Sequence, residues 1–147
     1  MKKILILFQV VILAFSVLAQ KETHKWKPLQ VDDNKKMWYD FSQVDTVTQA
    51  KFDVWLLELH KPLLKIEGLT TQVMRTKTLY SINLEEAYYG IKTVVYYDIN
   101  NKEIKRFKYD LQNYPDEMQY TFPITKNTDI HLFINELARI QKQRGSN

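Results

Sequence analysis

Side chains able to do chemistry are few in this sequence and thinly spread. Its three histidines, His24, His60 and His131, lie far apart and show no metal-ligand spacing. Zinc needs convergent His, Cys or carboxylate ligands, and the chain has no cysteine. Surface or capping roles are expected instead, with His60 ending a strand and His131 in a first helical turn. The acidic pairs Asp32-Asp33, Glu85-Glu86 and Asp116-Glu117 invite an acid–base reading. Neighbouring carboxylates on an extended chain point to opposite faces, however, which leaves them as solvated loop charges. Tyr88 and Lys92 have the Tyr-x-x-x-Lys spacing of some reductases. That pair works on a helix beside a dinucleotide site, whereas these fall on a strand in a chain with three glycines and no glycine-rich loop. Neither Ser42 nor Ser81 lies in a nucleophile elbow. No catalytic residue, cofactor or metal is expected.

One cluster has a functional edge. Lys105, Arg106, Phe107, Lys108 and Tyr109 form the chain's basic-aromatic run. On a strand, Lys105, Phe107 and Tyr109 share one face while Arg106 and Lys108 share the other. Such a surface can stack sugars or meet an anionic partner, so Lys105, Arg106, Lys108 and Tyr109 are the candidate partner-binding residues. The plainer reading takes precedence: an edge strand whose lysines prevent sheet-to-sheet pairing, with Phe107 turned into the core because Phe is among the residues most often buried.

The elements that would position this run begin with a hairpin over Tyr88 to Asp110. Its first half is dense in β-branched and aromatic residues. The turn falls at Asp98-Ile99-Asn100-Asn101, where Asp and Asn bond their own backbone and Asn tolerates the left-handed conformation. A second alternating run starts at Glu103. Earlier, Phe52 to His60 puts Phe52, Val54 and Leu56 on one face and Trp55, Leu57 and Leu59 on the other, as a central strand does. Pro62 should end that strand by His60. Met37 to Phe41, Thr76 to Leu84 and a segment between Tyr114 and Phe122 are further strand candidates. Ser42 to Ala50 reads as a connection, and Leu63 to Arg75 carries no consistent period beyond a turn at Gly68. Glu85, Glu86 and Ala87 either continue a strand or make a tight connection.

The period then changes to three and four. Ile130, Phe133, Ile134, Leu137, Ala138 and Ile140 draw an apolar stripe along a helix. Asn127 or Thr128 caps it, Asp129 suits the dipole at its start, and Gly145 stops it after the basic Arg139, Lys142 and Arg144. Strands followed by a lone amphipathic helix predict an α+β domain: a single antiparallel sheet of about six strands with the C-terminal helix packed on one face.

At the N-terminus, Met1-Lys2-Lys3 precedes an apolar run from Ile4 to Leu18, ending at the small-residue positions Val17 and Ala19. A charged start, a short apolar segment and a small-residue site predict a secretory signal peptide; the run is short for a bilayer span of about 20 residues. The expected organisation is residues 1–19 as signal peptide, 20–36 as an extended lead-in with Trp26 docking on the sheet, and 37–147 as one α+β domain. The product is expected in the periplasm, secreted or at the cell surface, with no transmembrane span after processing. Losing Lys2 and Lys3 lowers the formal charge of +4 by two, so the chain is no polybasic binder. With no disulfide, stability falls to the core, which aromatics at 13% of the chain can supply.

Several segments, in this order, resemble the surface-adhesin protein E family of exported proteins of Gram-negative bacteria. They are Trp38-Tyr39-Asp40-Phe41-Ser42, Val54-Trp55-Leu56, Tyr96-Tyr97-Asp98-Ile99-Asn100-Asn101-Lys102, and Phe122-Pro123-Ile124 before the final helix. The resemblance implies one antiparallel sheet of about six strands with a C-terminal helix. It also implies kinship to an adhesin that binds host extracellular-matrix and serum proteins. Two departures stand out. The family's cysteine pair is replaced here in the neighbourhoods of Glu86-Ala87 and Ala138, and no cysteine is present to carry a lipid. Fold and export carry over; binding residues do not. The expected function is an exported, non-enzymatic interaction module. Its partner would be an extracellular or periplasmic protein or a glycan, not nucleic acid. The alternatives are a structural periplasmic accessory protein and a small enzyme with no recognisable motif. A convergent polar pocket would favour the enzyme, and a flat exposed aromatic patch the binder.

Overall fold

Alternation makes most of this chain extended, and the turns between runs decide which strands pair. The computed structural model describes residues 23–144 except 34, 43, 45–48, 112 and 127. It contains β1 (Trp26–Val31), β2 (Lys36–Asp40), β3 (Lys51–Leu64), β4 (Val73–Asn83), β5 (Tyr88–Tyr97) and β6 (Glu103–Lys108), paired antiparallel in chain order. A helical turn, α1 (Asp116–Gln119), leads to the two-residue β7 (Phe122–Pro123), and the chain closes with α2 (Asp129–Arg144). β7 pairs Tyr88 and Tyr89 of β5, while β6 pairs the stretch from Thr93 to Tyr97. The result is the expected α+β meander with a C-terminal helix. The signal segment, the cleavage point after Ala19, the Asn127 cap and the Gly145 stop lie outside the described residues.

The β5–β6 turn closes as its residue types dictate. The Asp98 carboxylate accepts the backbone N–H groups of Asn100 (2.9 Å) and Lys102 (2.8 Å), and Asn101 takes φ 64°. Gly68 turns the β3–β4 connection at φ 82°, a conformation that costs glycine nothing. Glu85–Ala87 is the tight connection rather than more strand: Ala87 has φ 57°, and the Asn83 side-chain oxygen accepts the Glu86 N–H.

Three expectations are corrected. The lead-in supplies a strand of its own, β1, paired with β2 from Trp26↔Asp40 to Val31↔Lys36. β3 does not end by His60 but continues to Leu64 through a cis Lys61–Pro62 bond. Its pairing with β4 is irregular between Leu59 and Leu64, so the donor missing from Pro62 falls where the ladder is already interrupted. The Tyr114–Phe122 segment is mostly not a strand. Pro115 opens α1, accepting the N–H groups of Met118 and Gln119 on its carbonyl, and Asp116 and Glu117 suit the first turn.

The core lies between α2 and one face of the sheet. Met37 and Tyr39 of β2, Val54 and Leu56 of β3 and Ile82 of β4 meet Ile130, Phe133 and Leu137, all buried. The Phe133 ring sits 5.5 Å from Tyr39 and 6.3 Å from Phe52. Ile134 and Ile140 flank the stripe, whereas Ala138, expected within it, is exposed. Thr128 caps α2, its hydroxyl accepting the His131 N–H at 3.3 Å. On the opposite face, α1 crosses β5 at Gly90, where a methyl group would overlap the Gln119 carbonyl oxygen.

Candidate partner-binding surface

β6 is the strand on which the candidate residues lie, and it forms one edge of the sheet. Its pairing with β5 sets Lys105 opposite Tyr96, Arg106 opposite Val95, Phe107 opposite Val94 and Lys108 opposite Thr93. Alternation then divides the cluster between two faces. On the side of the sheet that carries α2, the Phe107 ring meets Tyr96 edge-on at 6.1 Å, and the Lys105 ammonium lies 5.7 Å from its centroid. Tyr109, just past the strand, anchors its N–H on the Lys92 carbonyl at 2.8 Å, with its side chain half exposed. Burial, then the neighbouring Tyr109, raises the Tyr96 phenol above its ordinary pKa and keeps it neutral.

Arg106 and Lys108 do not join that surface. The Arg106 guanidinium grips both Glu103 oxygens, at 3.1 and 2.9 Å. Lys108 lines a shallow depression of about 280 Å³ with Leu79, Lys92, Tyr109 and Leu111. Phe107 is not a core residue, contrary to expectation, and is 39% exposed. The buried side chains of α2 meet β2, β3 and β4, and no β6 residue belongs to that cluster. Of the candidates, Lys105 lies beside Phe107 and Tyr96, Arg106 and Lys108 face the other way, and Tyr109 borders both Tyr96 and the depression that Lys108 lines.

A second polar constellation is absent from the sequence reading. His24, expected at the surface, is mostly buried, and its Nδ1–H donates to the Asp40 carboxylate at 2.6 Å. On its other side, the Lys77 ammonium donates to Nε2 at 3.0 Å and lies 4.5 Å from the Trp55 ring centroid. Burial opposes the Asp40 charge, but hydrogen bonds from His24, Ser42 and the Lys25 backbone outweigh it and hold the carboxyl below its usual range. The chain of contacts ties the residues before β1 to β2 and β4. The legible signals were Asp40-Phe41-Ser42, where the carboxylate accepts the Ser42 N–H and hydroxyl at 2.9 and 2.7 Å, and a lysine inside an alternating strand.

The remaining candidates stay apart. His60 Nε2 lies 2.8 Å from the Thr76 hydroxyl, and His131 Nδ1 is 3.2 Å from the Asn135 amide. Among the described residues no group of three metal-ligating side chains forms. Lys92 pairs with Asp53 at 2.7 Å, and Asp116 with Lys51. In comparisons with family models, with curated proteins and with solved structures, nothing matches this chain.

Proposed function

We propose that the chain is an exported, non-enzymatic interaction module that engages its partner on the β5–β6 surface. The observation that carries this reading is Phe107, an edge-strand aromatic left open beside Tyr96 and under Lys105. An aromatic with a cation at its rim suits the face of a sugar or an anionic segment of a protein. The resemblance to the adhesin family points to the same class of partner, extracellular-matrix and serum proteins. No helix among the described residues is long and apolar enough to cross a membrane.

The test is binding of the purified chain to a panel of immobilised extracellular-matrix and serum proteins. Lys105→Glu should weaken retention, and added salt should mimic it, because exposed charges are screened over about 8 Å at physiological ionic strength. Retention indifferent to both would remove the charge from the account.

One observation favours a second reading, a structural accessory protein. β6 is an edge strand carrying Lys105, Arg106 and Lys108, the charges by which sheets resist edge-to-edge pairing. On that reading, replacing Lys105 and Lys108 with Thr causes concentration-dependent association, visible by light scattering, while binding to the panel is nil throughout.

A further inference from the structure

On the sheet face opposite α2, His24 is held between two charged side chains. From β2 the Asp40 carboxylate accepts its Nδ1–H at 2.6 Å, and from β4 the Lys77 nitrogen stands 3.0 Å from its Nε2. The other two strands against it present rings. Trp26 of β1 lies at 4.9 Å and Trp55 of β3, steeply inclined, at 5.6 Å. Lys77 is only 7% exposed, with its nitrogen over the Trp55 ring.

The contact between Nε2 and Nζ holds one proton between two nitrogens. An ammonium has only donors, so it bonds Nε2 only while the imidazole is an acceptor there. A second proton leaves two donors and two positive charges facing across 3.0 Å, in a site that water barely reaches. Like charges so placed disfavour one another, and one group must leave. Asp40 decides which. Against its burial, bonds from His24, Ser42 and the Lys25 N–H hold its carboxyl below the usual range. It therefore stays charged between about pH 5 and 8, where histidine changes its charge. An imidazolium on that carboxylate gains a charge-assisted bond, whereas Lys77 gains nothing by staying. Its flexible four-carbon stem lets the ammonium swing out.

We infer that the His24–Lys77 contact is a pH-sensitive switch: protonation of His24 expels the Lys77 ammonium from beside Trp55 toward solvent, while the Asp40–His24 bond keeps the residues before β1 in place. In register, Lys77 pairs with Leu57 and Leu57 with Trp38, so acid adds a positive charge to the surface beside that row. The site is separate from β6, and the inference does not depend on the partner-binding reading.

Proton NMR of the purified chain, titrated from about pH 8 to about pH 5, reads both ends of the switch. His60→Gln and His131→Gln assign the histidine signals. At the start, the Trp55 ring current should hold the Lys77 side-chain signals upfield. They should return to ordinary lysine positions with the same midpoint as the His24 ring protons. In His24→Gln the amide can serve both neighbours and cannot titrate, so the Lys77 signals should stay displaced throughout. Three results would overturn the inference. They are Lys77 signals that hold still while His24 titrates, movement at a midpoint other than that of His24, and movement of equal size in His24→Gln. The first two are read on the parent chain alone.

Discussion

Truncating Leu137 tests whether α2 is part of the folded unit or an appendage. The side chain is 4% exposed and packs in the cluster with Phe133, Tyr39 and Val54. Leu137→Ala removes three carbons from a site walled by sheet on one side and helix on the other. Neither wall can close in cheaply, so a loss of about 2–5 kcal/mol is expected. For a domain of this size that is a fall in melting temperature of about 8–20 °C, at roughly 4 °C per kcal/mol. Lys142→Ala, one turn beyond the buried stripe and exposed, should change stability by no more than about 0.5 kcal/mol. Urea unfolding should be followed by two probes. Tryptophan fluorescence, from Trp26, Trp38 and Trp55 on β1, β2 and β3, reports the sheet, and circular dichroism reports the helix. If α2 is docked, both transitions coincide and shift together in Leu137→Ala. Equal, small losses in the two variants, or a helix signal that melts ahead of the fluorescence, would refute the packing.

Three further expectations follow from particular contacts. Gly90→Ala must push the Gln119 carbonyl, and with it α1, off β5; overpacking of this kind costs about 1–3 kcal/mol or more, measurable by the same denaturation. The Asp40 carboxyl is held below its ordinary pKa, so the folded chain takes up that proton less readily than the unfolded one. Its stabilisation is present above the unfolded carboxyl value of about 4 and is lost as pH falls through the lower folded value. Asp40→Asn should therefore be less stable at neutral pH and show a flatter acid limb in melting temperature; an unchanged limb would place the acid sensitivity elsewhere. Finally, the apolar run to Leu18 and the Val17-Leu18-Ala19 end predict an exported chain starting at Gln20. Intact-mass analysis reads this directly, and a mature product retaining Ile4 to Leu18 would mean an anchor instead.

Much of the fold is legible in the sequence because its elements keep clean periods. Ile130, Phe133 and Leu137 repeat at helical spacing, Val54 and Leu56 alternate with Trp55, and Asp98 to Asn101 carry the chemistry of their own turn. β1 is less visible because an edge strand needs little apolar content, and Lys25, Lys27 and Pro28 read as a polar lead-in. The β3 extension is hidden by Pro62, whose missing donor matters only if the ladder is regular there. Phe107 is misread by composition alone: Phe usually lies inside, but a single 16-residue helix buries its stripe against β2, β3 and β4 and leaves β6 outside that cluster. The Asp40–His24–Lys77 chain is the least legible feature. It depends on the β1–β2 register that pairs Trp26 with Asp40 and on the order that places β4 one strand beyond β3, neither of which any local pattern displays.

Phe107→Ala bears most directly on the claim that the β5–β6 surface is where a partner is met. As an exposed platform, Phe107 should leave stability within about 1 kcal/mol of the parent when truncated; a core phenylalanine would lose about 3–5 kcal/mol. The decisive measurement pairs the melting temperature of Phe107→Ala with its retention on the panel of matrix and serum proteins, each beside the parent chain. If the β5–β6 surface meets the partner, the melting temperature barely moves and retention is lost. Retention preserved in full, or binding and stability falling together, would contradict it.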